Sequence, residues 1–162
     1  DGDGKLVTDI AGGDDYGQAL ALQTGGKIVV AGYTTAGFAV ARYNPDGSPD
    51  STFSTDGKLE TDVTSGVDTA SAVTLQWDGK IVVAGSADNN FGLVRYNPDG
   101  SLDNTFSEDG KLVTDFLGGA DTGSAVVLQP NMKIIVAGSA VGSSSDAACF
   151  APGGTRRPNR AA

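Results

Sequence analysis

The stretch DGKLETDVTSGVDTASAVTLQWDGKIVVAGSA, Asp56–Ala87, is echoed by DGKLVTDFLGGADTGSAVVLQPNMKIIVAGSA, Asp109–Ala140, with 21 of 32 positions identical and no gap. The opening Asp-Gly-Lys-Leu also stands at Asp3–Leu6, so its three copies are spaced by 53 residues. Lys-Ile recurs at Lys27, Lys80 and Lys133, and Arg-Tyr-Asn-Pro-Asp-Gly-Ser runs over Arg42–Ser48 and Arg95–Ser101. One structural unit is therefore used three times.

The middle copy reads as short strands between turns. Lys58–Val63 alternates apolar and polar residues, the mark of a half-buried strand. Thr64–Asp68 is a turn-rich link and Ser71–Gln76 a second strand. Trp77-Asp78-Gly79 then breaks the pattern, and Asp-Gly between apolar runs is a hairpin signal. Lys80–Gly85 is β-branched and nearly all apolar, as a strand buried on both faces would be. Ser86–Asn90 turns the chain into a fourth strand, Phe91–Tyr96. Nothing repeats at 3.6 residues, and the 24 Gly are too many for stable helices. The predicted fold is all-β: a β-propeller of four-stranded antiparallel blades, three repeats per chain. A β-solenoid is the runner-up, but its coils are usually shorter and its strands parallel.

The run Arg95–Phe106, then Asp109–Phe116, Ser124–Gln129 and Lys133–Gly138, resembles the bacterial delta-60 repeat. The resemblance covers nearly the whole chain up to about Asp146. It implies a β-propeller repeat from large secreted or surface bacterial proteins, and it brings no catalytic residues to transfer.

Composition narrows the chemistry. No His is present, so Ser–His–Asp triads, Cys–His pairs and His-ligated zinc are out. The single Cys149 forms no disulfide within the chain and has no His to activate it. The net charge of −9 disfavours a nucleic-acid partner, and no apolar run approaches the ~18 residues of a membrane span. No signal peptide is evident and there is no initiator Met.

Propellers close with about four to eight blades, so three repeats do not make a ring alone. The phase matters. The Asp3–Asp9 strand belongs at the outer edge of a preceding blade, and the third blade lacks its outer strand. Two copies exchanging these ends would form a six-bladed ring, so a homodimer is expected. A fragment of a longer propeller and assembly with another chain are the alternatives. The blades occupy residues 1–151. Allowing one inserted residue, Cys149-Phe150-Ala151-Pro152 falls where Arg-Tyr-Asn-Pro is expected. An irregular basic tail follows over 152–162, its charges Arg156, Arg157 and Arg160 set against an acidic body.

Candidate sites follow from the repeated blocks. Asn44, Asp46 and Asp50, with Asn97, Asp99 and Asp103, have the alternate-oxygen spacing of a short Ca²⁺ loop. The same residues are also what a type I turn selects. No other cofactor is implied. Arg42 and Arg95 lie inside strands and require carboxylates, for which Asp62 and Asp115 on neighbouring strands are the expected partners of a structural ion pair. Trp77, the only Trp, stands in a hairpin turn where the sister residues are Thr24 and Pro130. It is either a ligand-stacking platform or a ring packed on its own turn. Asp14, Asp15, Asp68 and Asp121 form an acidic set between blades, lining one face or simply solvated. Glu60 and Glu108 lie in unrelated contexts and suggest no acid–base pair.

The leading functional expectation is a non-enzymatic scaffold or binding module, secreted or on the cell surface, that assembles by strand exchange. A glycan-binding, lectin-like propeller is the alternative. A propeller hydrolase or lyase working through Asp side chains is a third reading, weakened because most Asp recur while an active site is usually unique.

Overall fold

The computed structural model describes residues 4–116, 118–141 and 147–150 of the 162-residue chain. Its elements are β1 (Tyr16–Leu22), β2 (Ile28–Tyr33), β3 (Phe38–Tyr43), β4 (Lys58–Thr61), β5 (Asp68–Leu75), β6 (Ile81–Ala87), β7 (Asn90–Tyr96), β8 (Lys111–Thr114), β9 (Asp121–Leu128), β10 (Ile134–Ala140) and β11 (Ala147–Phe150). They form three antiparallel sheets in the orders β1-β2-β3-β4, β5-β6-β7-β8 and β9-β10-β11. The fourth strand of each four-stranded sheet is thus the Asp-Gly-Lys-Leu segment of the next repeat, in the phase predicted. No helix among the described residues is long and apolar enough to cross a membrane.

The sheets stack face to face. First strands of successive sheets touch, β1 on β5 and β5 on β9, so these strands converge while the fourth strands lie outside. Each stack buries its own apolar layer. Val29, Ala31, Phe38, Val40 and Phe53 of the first unit pack against Ala70, Ile81, Val83, Val94 and Tyr96 of the second. Val82, Ala84, Phe91, Leu93 and Phe106 of the second pack against Val126, Ile134 and Val136 of the third. In β6, Ile81 and Val83 face one neighbour and Val82 and Ala84 the other, all fully buried. The run at Lys80 is apolar throughout because both of its faces are covered.

Two local devices recur in every unit. The first strand bulges between Gly17 and Ala19, between Ala70 and Ala72, and on β9 opposite Ala137/Gly138. The extra residue pushes the strand backbone over its neighbour, and the Gly of each Ala-Gly pair sits underneath. A Cβ on Gly32, Gly85 or Gly138 would lie 1.7, 2.0 or 1.8 Å from the carbonyl oxygen of Tyr16, Thr69 or Thr122. The second device is the hairpin between the first and second strands. It holds Gly26 and Gly79 at φ +83° and +85°, but in the third unit Met132 at φ +66°.

One expectation changes. Residues 4–9, predicted as a strand, form none; the sheet whose outer edge they match is not present beside them. The third sheet has three strands among the described residues, in line with the expectation that it lacks its outer one. The third-unit register does follow the predicted insertion: Phe150 pairs with Ile134 as Tyr96 does with Ile81, and Cys149 pairs with Ile135 as Arg95 does with Val82. The tail expected over 152–162 lies outside the described residues.

Candidate functional site

After the third strand the chain doubles back through Asn-Pro-Asp-Gly-Ser, closed by isolated bridges between Tyr43 and Pro49 and between Tyr96 and Leu102. The fold-back brings Asp50 beneath Arg42 and Asp103 beneath Arg95. Nε of each Arg lies 2.6 Å from Oδ2 of its Asp, with both partners buried. Asp62 and Asp115 are therefore not the partners. Both are exposed; Asp62 offers its backbone carbonyl to Lys111, and Asp115 accepts the Gly118 N–H. The true partners come from the same unit because the turn returns its own carboxylate to the strand.

Each carboxylate is fully engaged. Asp50 also accepts from Lys27 Nζ at 2.5 Å and from the Thr52 hydroxyl and N–H. Burial opposes its ionisation, but the bonds from Lys27, Thr52 and Arg42 outweigh burial and hold the carboxyl far below its ordinary range. Burial likewise works against Asp103, and Thr105, Lys80 and Arg95 together bring it down to about 2. Exposed Asp46 and Asp99 are lowered by the hydroxyl and N–H of Ser48 and Ser101, which they hold as turn caps. Asn44 and Asn97 donate to the same two hydroxyls and accept from Lys27 and Lys80. The six side chains singled out for calcium thus all hold protein partners, with a Lys and an Arg at each of Asp50 and Asp103. Among the described residues no group of three or more acidic, His or Cys side chains could hold a metal ion.

This turn also joins units. Arg42 Nη1 donates to Pro98 O at 2.5 Å, and Ser54 N–H donates to Asp99 O at 2.8 Å. Arg42 lies over the Phe53 ring, 4.7 Å from its centroid, and Phe53 in turn abuts Gly100. The second unit repeats the inner half, with Arg95 4.8 Å from the Phe106 centroid.

The acidic set is split: Asp68 and Asp121 are buried, while Asp14 and Asp15 border an open pocket at the surface. Asp68 is buried and accepts from Val63 N–H, Thr64 N–H and the Thr64 hydroxyl, pinning the link between sheets. Asp121 does the same for Phe116 N–H, and Asp15 for Ile10 N–H. Asp14 remains exposed.

Trp77 is 85 % exposed, so it is not packed on its own turn. It stands over an open groove of about 610 Å³ between two hairpin tips, Leu22–Thr24 of the first unit and Leu75–Gly79 of the second. Gln76, on the groove wall, is buried, and its Oε1 has no hydrogen-bond partner among the described residues. Leaving such an acceptor unpaired costs about 1–3 kcal/mol. Nothing in the sequence marked Gln76, because Gln23 and Gln129 occupy the same place in the other units.

A family model described as a domain of unknown function (DUF5122) beta-propeller matches residues 23–53 and 76–106. Each segment runs from the first hairpin through the Arg–Asp fold-back to Phe53 or Phe106, which is the part of the unit that holds the joint. No curated protein matches the chain. Over those two segments the chain is similar to a β-propeller repeat, in keeping with its stacked antiparallel sheets.

Proposed function

We propose that the chain is a non-enzymatic β-propeller module, a scaffold with a binding face, completed into a ring by a second copy through strand exchange. The observation that carries this is the placement of residues 5–9. Tyr43 donates its hydroxyl to Thr8 at 2.7 Å, as Tyr96 donates to Thr61 at 2.8 Å. Lys58 donates to Asp9 O, as Lys111 donates to Asp62 O. Residues 5–9 therefore stand against the first blade as β4 stands against the second, in the position of an outer strand with no sheet to its side. The blade face beside it repeats the message. Leu20 is 67 % exposed while its sister Val126 is 7 % exposed, and half-buried Ile28, Val30 and Tyr43 have fully buried sisters in Ile81, Val83 and Tyr96. In the second and third blades this face is covered by the preceding blade. Covering it with another blade removes apolar surface from water at roughly 25 cal/mol per Å².

The non-catalytic reading is supported by how the carboxylates are spent. Three of the four buried ones among the described residues, Asp50, Asp68 and Asp103, hold turn or ion-pair partners, and the fourth, Asp121, holds the Phe116 N–H on one oxygen while its Oδ1 has no partner among the described residues. A setting outside the cell follows from the resemblance to the delta-60 repeat.

Light scattering on the full chain and on a version lacking residues 1–9 tests the assembly. The full chain is expected at about twice its 16.3 kDa mass, and the truncated one at a single copy. Two forms of equal monomeric mass would remove the proposal.

A further inference from the structure

We propose that the Trp77 groove binds a neutral pyranose glycan, with the indole as the stacking platform; this rests on the reading of the chain as a binding module. The groove lies at the joint between the first and second blades, inside one chain, so it does not depend on what covers the first blade. Three features define its chemistry. The first is the flat apolar ring of Trp77, 85 % exposed beside polar neighbours. A pyranose presents one face of C–H bonds, slightly positive, which suits the negative face of an aromatic ring. The second is the set of hydrogen-bonding groups around it: Gln23 and Thr24 on one hairpin and Asp78 on the other. Ring hydroxyls both donate and accept, so they match a mixed set of amide, hydroxyl and carboxylate groups better than an apolar peptide segment does. The third is charge. Asp78 is the one charged side chain on the groove wall, and the chain carries −9 overall, which disfavours uronic-acid sugars. A small open groove with one aromatic platform holds one or two sugar rings, so a Kd of about 0.1–1 mM is expected.

Trp77 is the only Trp, so its emission reports on this groove alone. Cello-, chito- and malto-oligosaccharides are titrated, with a galacturonic-acid oligomer as the acidic contrast. A saturable emission change with at least one neutral series is expected, together with loss of calorimetric binding of about tenfold or more in Trp77→Ala. Because Trp77 is so exposed, that variant keeps the parent melting temperature, and Trp77→Phe keeps part of the affinity. Any of three results overturns the proposal: no response to any neutral series at about 10 mM, binding that Trp77→Ala leaves intact, or tighter binding of the acidic oligomer. A peptide ligand found at Trp77 without any sugar response has the same consequence. Light scattering on the same samples separates the two readings. A dimer without sugar response sinks the glycan alone, and a sugar-binding monomer sinks the strand exchange alone.

Discussion

Replacing Gly85 by Ala tests why each unit carries Ala-Gly at the end of its second strand. The added Cβ would lie 2.0 Å from Thr69 O and 2.7 Å from Ala70 Cα, both backbone atoms held by the bulge on β5. Neither is the end of a flexible side chain, so the strand itself must retreat by more than an ångström from a sheet packed on both faces. Overpacking of this kind costs about 1–3 kcal/mol, and a backbone obstacle puts Gly85→Ala at about 3 kcal/mol. In a chain of this size that lowers Tm by roughly 6–12 °C. Gly17→Ala is the control: its Cβ meets only Val30 Cγ1 at 3.6 Å, an ordinary contact. It is expected within about 0.5 kcal/mol of the parent. Differential scanning calorimetry on both variants decides the matter. Gly85→Ala melting within about 2 °C of the parent would refute the argument that the bulge demands glycine.

Other outcomes follow from the same geometry. Asp103, held at about 2, and Asp50, lower still, bind protons in the unfolded chain near pH ~3.9 but resist them when folded. The unfolded state thus takes up protons first as pH falls. Their stabilisation is complete above about pH 4 and is lost as pH drops toward about 2, with about 2 kcal/mol at stake for Asp103. Urea melts at pH 5 and pH 2.5 measure this, and Asp103→Asn is expected to flatten the difference. Arg42→Ala, which removes bonds to Asp50, Thr52 and Pro98 O together, is expected to cost about 3 kcal/mol by chemical denaturation. A loss below about 1 kcal/mol would mean that the joint between units does not rest on this residue. Met132→Gly relieves a left-handed backbone and is expected to stabilise by roughly 0.5–1 kcal/mol, seen as a rise in Tm.

How much the sequence revealed depends on the range of the interaction. The strands, hairpins and the phase of the fourth strand were legible because each is written in local signals: Asp-Gly turns, β-branched runs and a fixed period. The doubly buried strand at Lys80 was legible too, since its lack of alternation reports two covered faces. The partner of Arg42 is not the carboxylate of a neighbouring strand because a fold-back within the same unit returns Asp50 to it. A signal did exist: Arg is followed eight residues later by Asp, then by Thr and Phe, in both Arg42–Phe53 and Arg95–Phe106. The burial of Asp68 was hidden because a carboxylate that satisfies backbone N–H groups looks, in sequence, like a solvated loop residue. The exposure of Trp77 and the orphaned oxygen of Gln76 depend on where an adjacent sheet places its hairpin, which no local pattern encodes.

Hydrogen exchange at residues 5–8 tests the central claim most directly. If these residues form the outer strand of a second copy's third blade, their amides are protected like those of Lys58–Thr61 and Lys111–Thr114, which pair with β3 and β7. Protection that matches those two strands, and falls on dilution below the dissociation constant of the dimer, is the predicted result. Exchange at the rate of an unstructured chain, at every protein concentration, would contradict it.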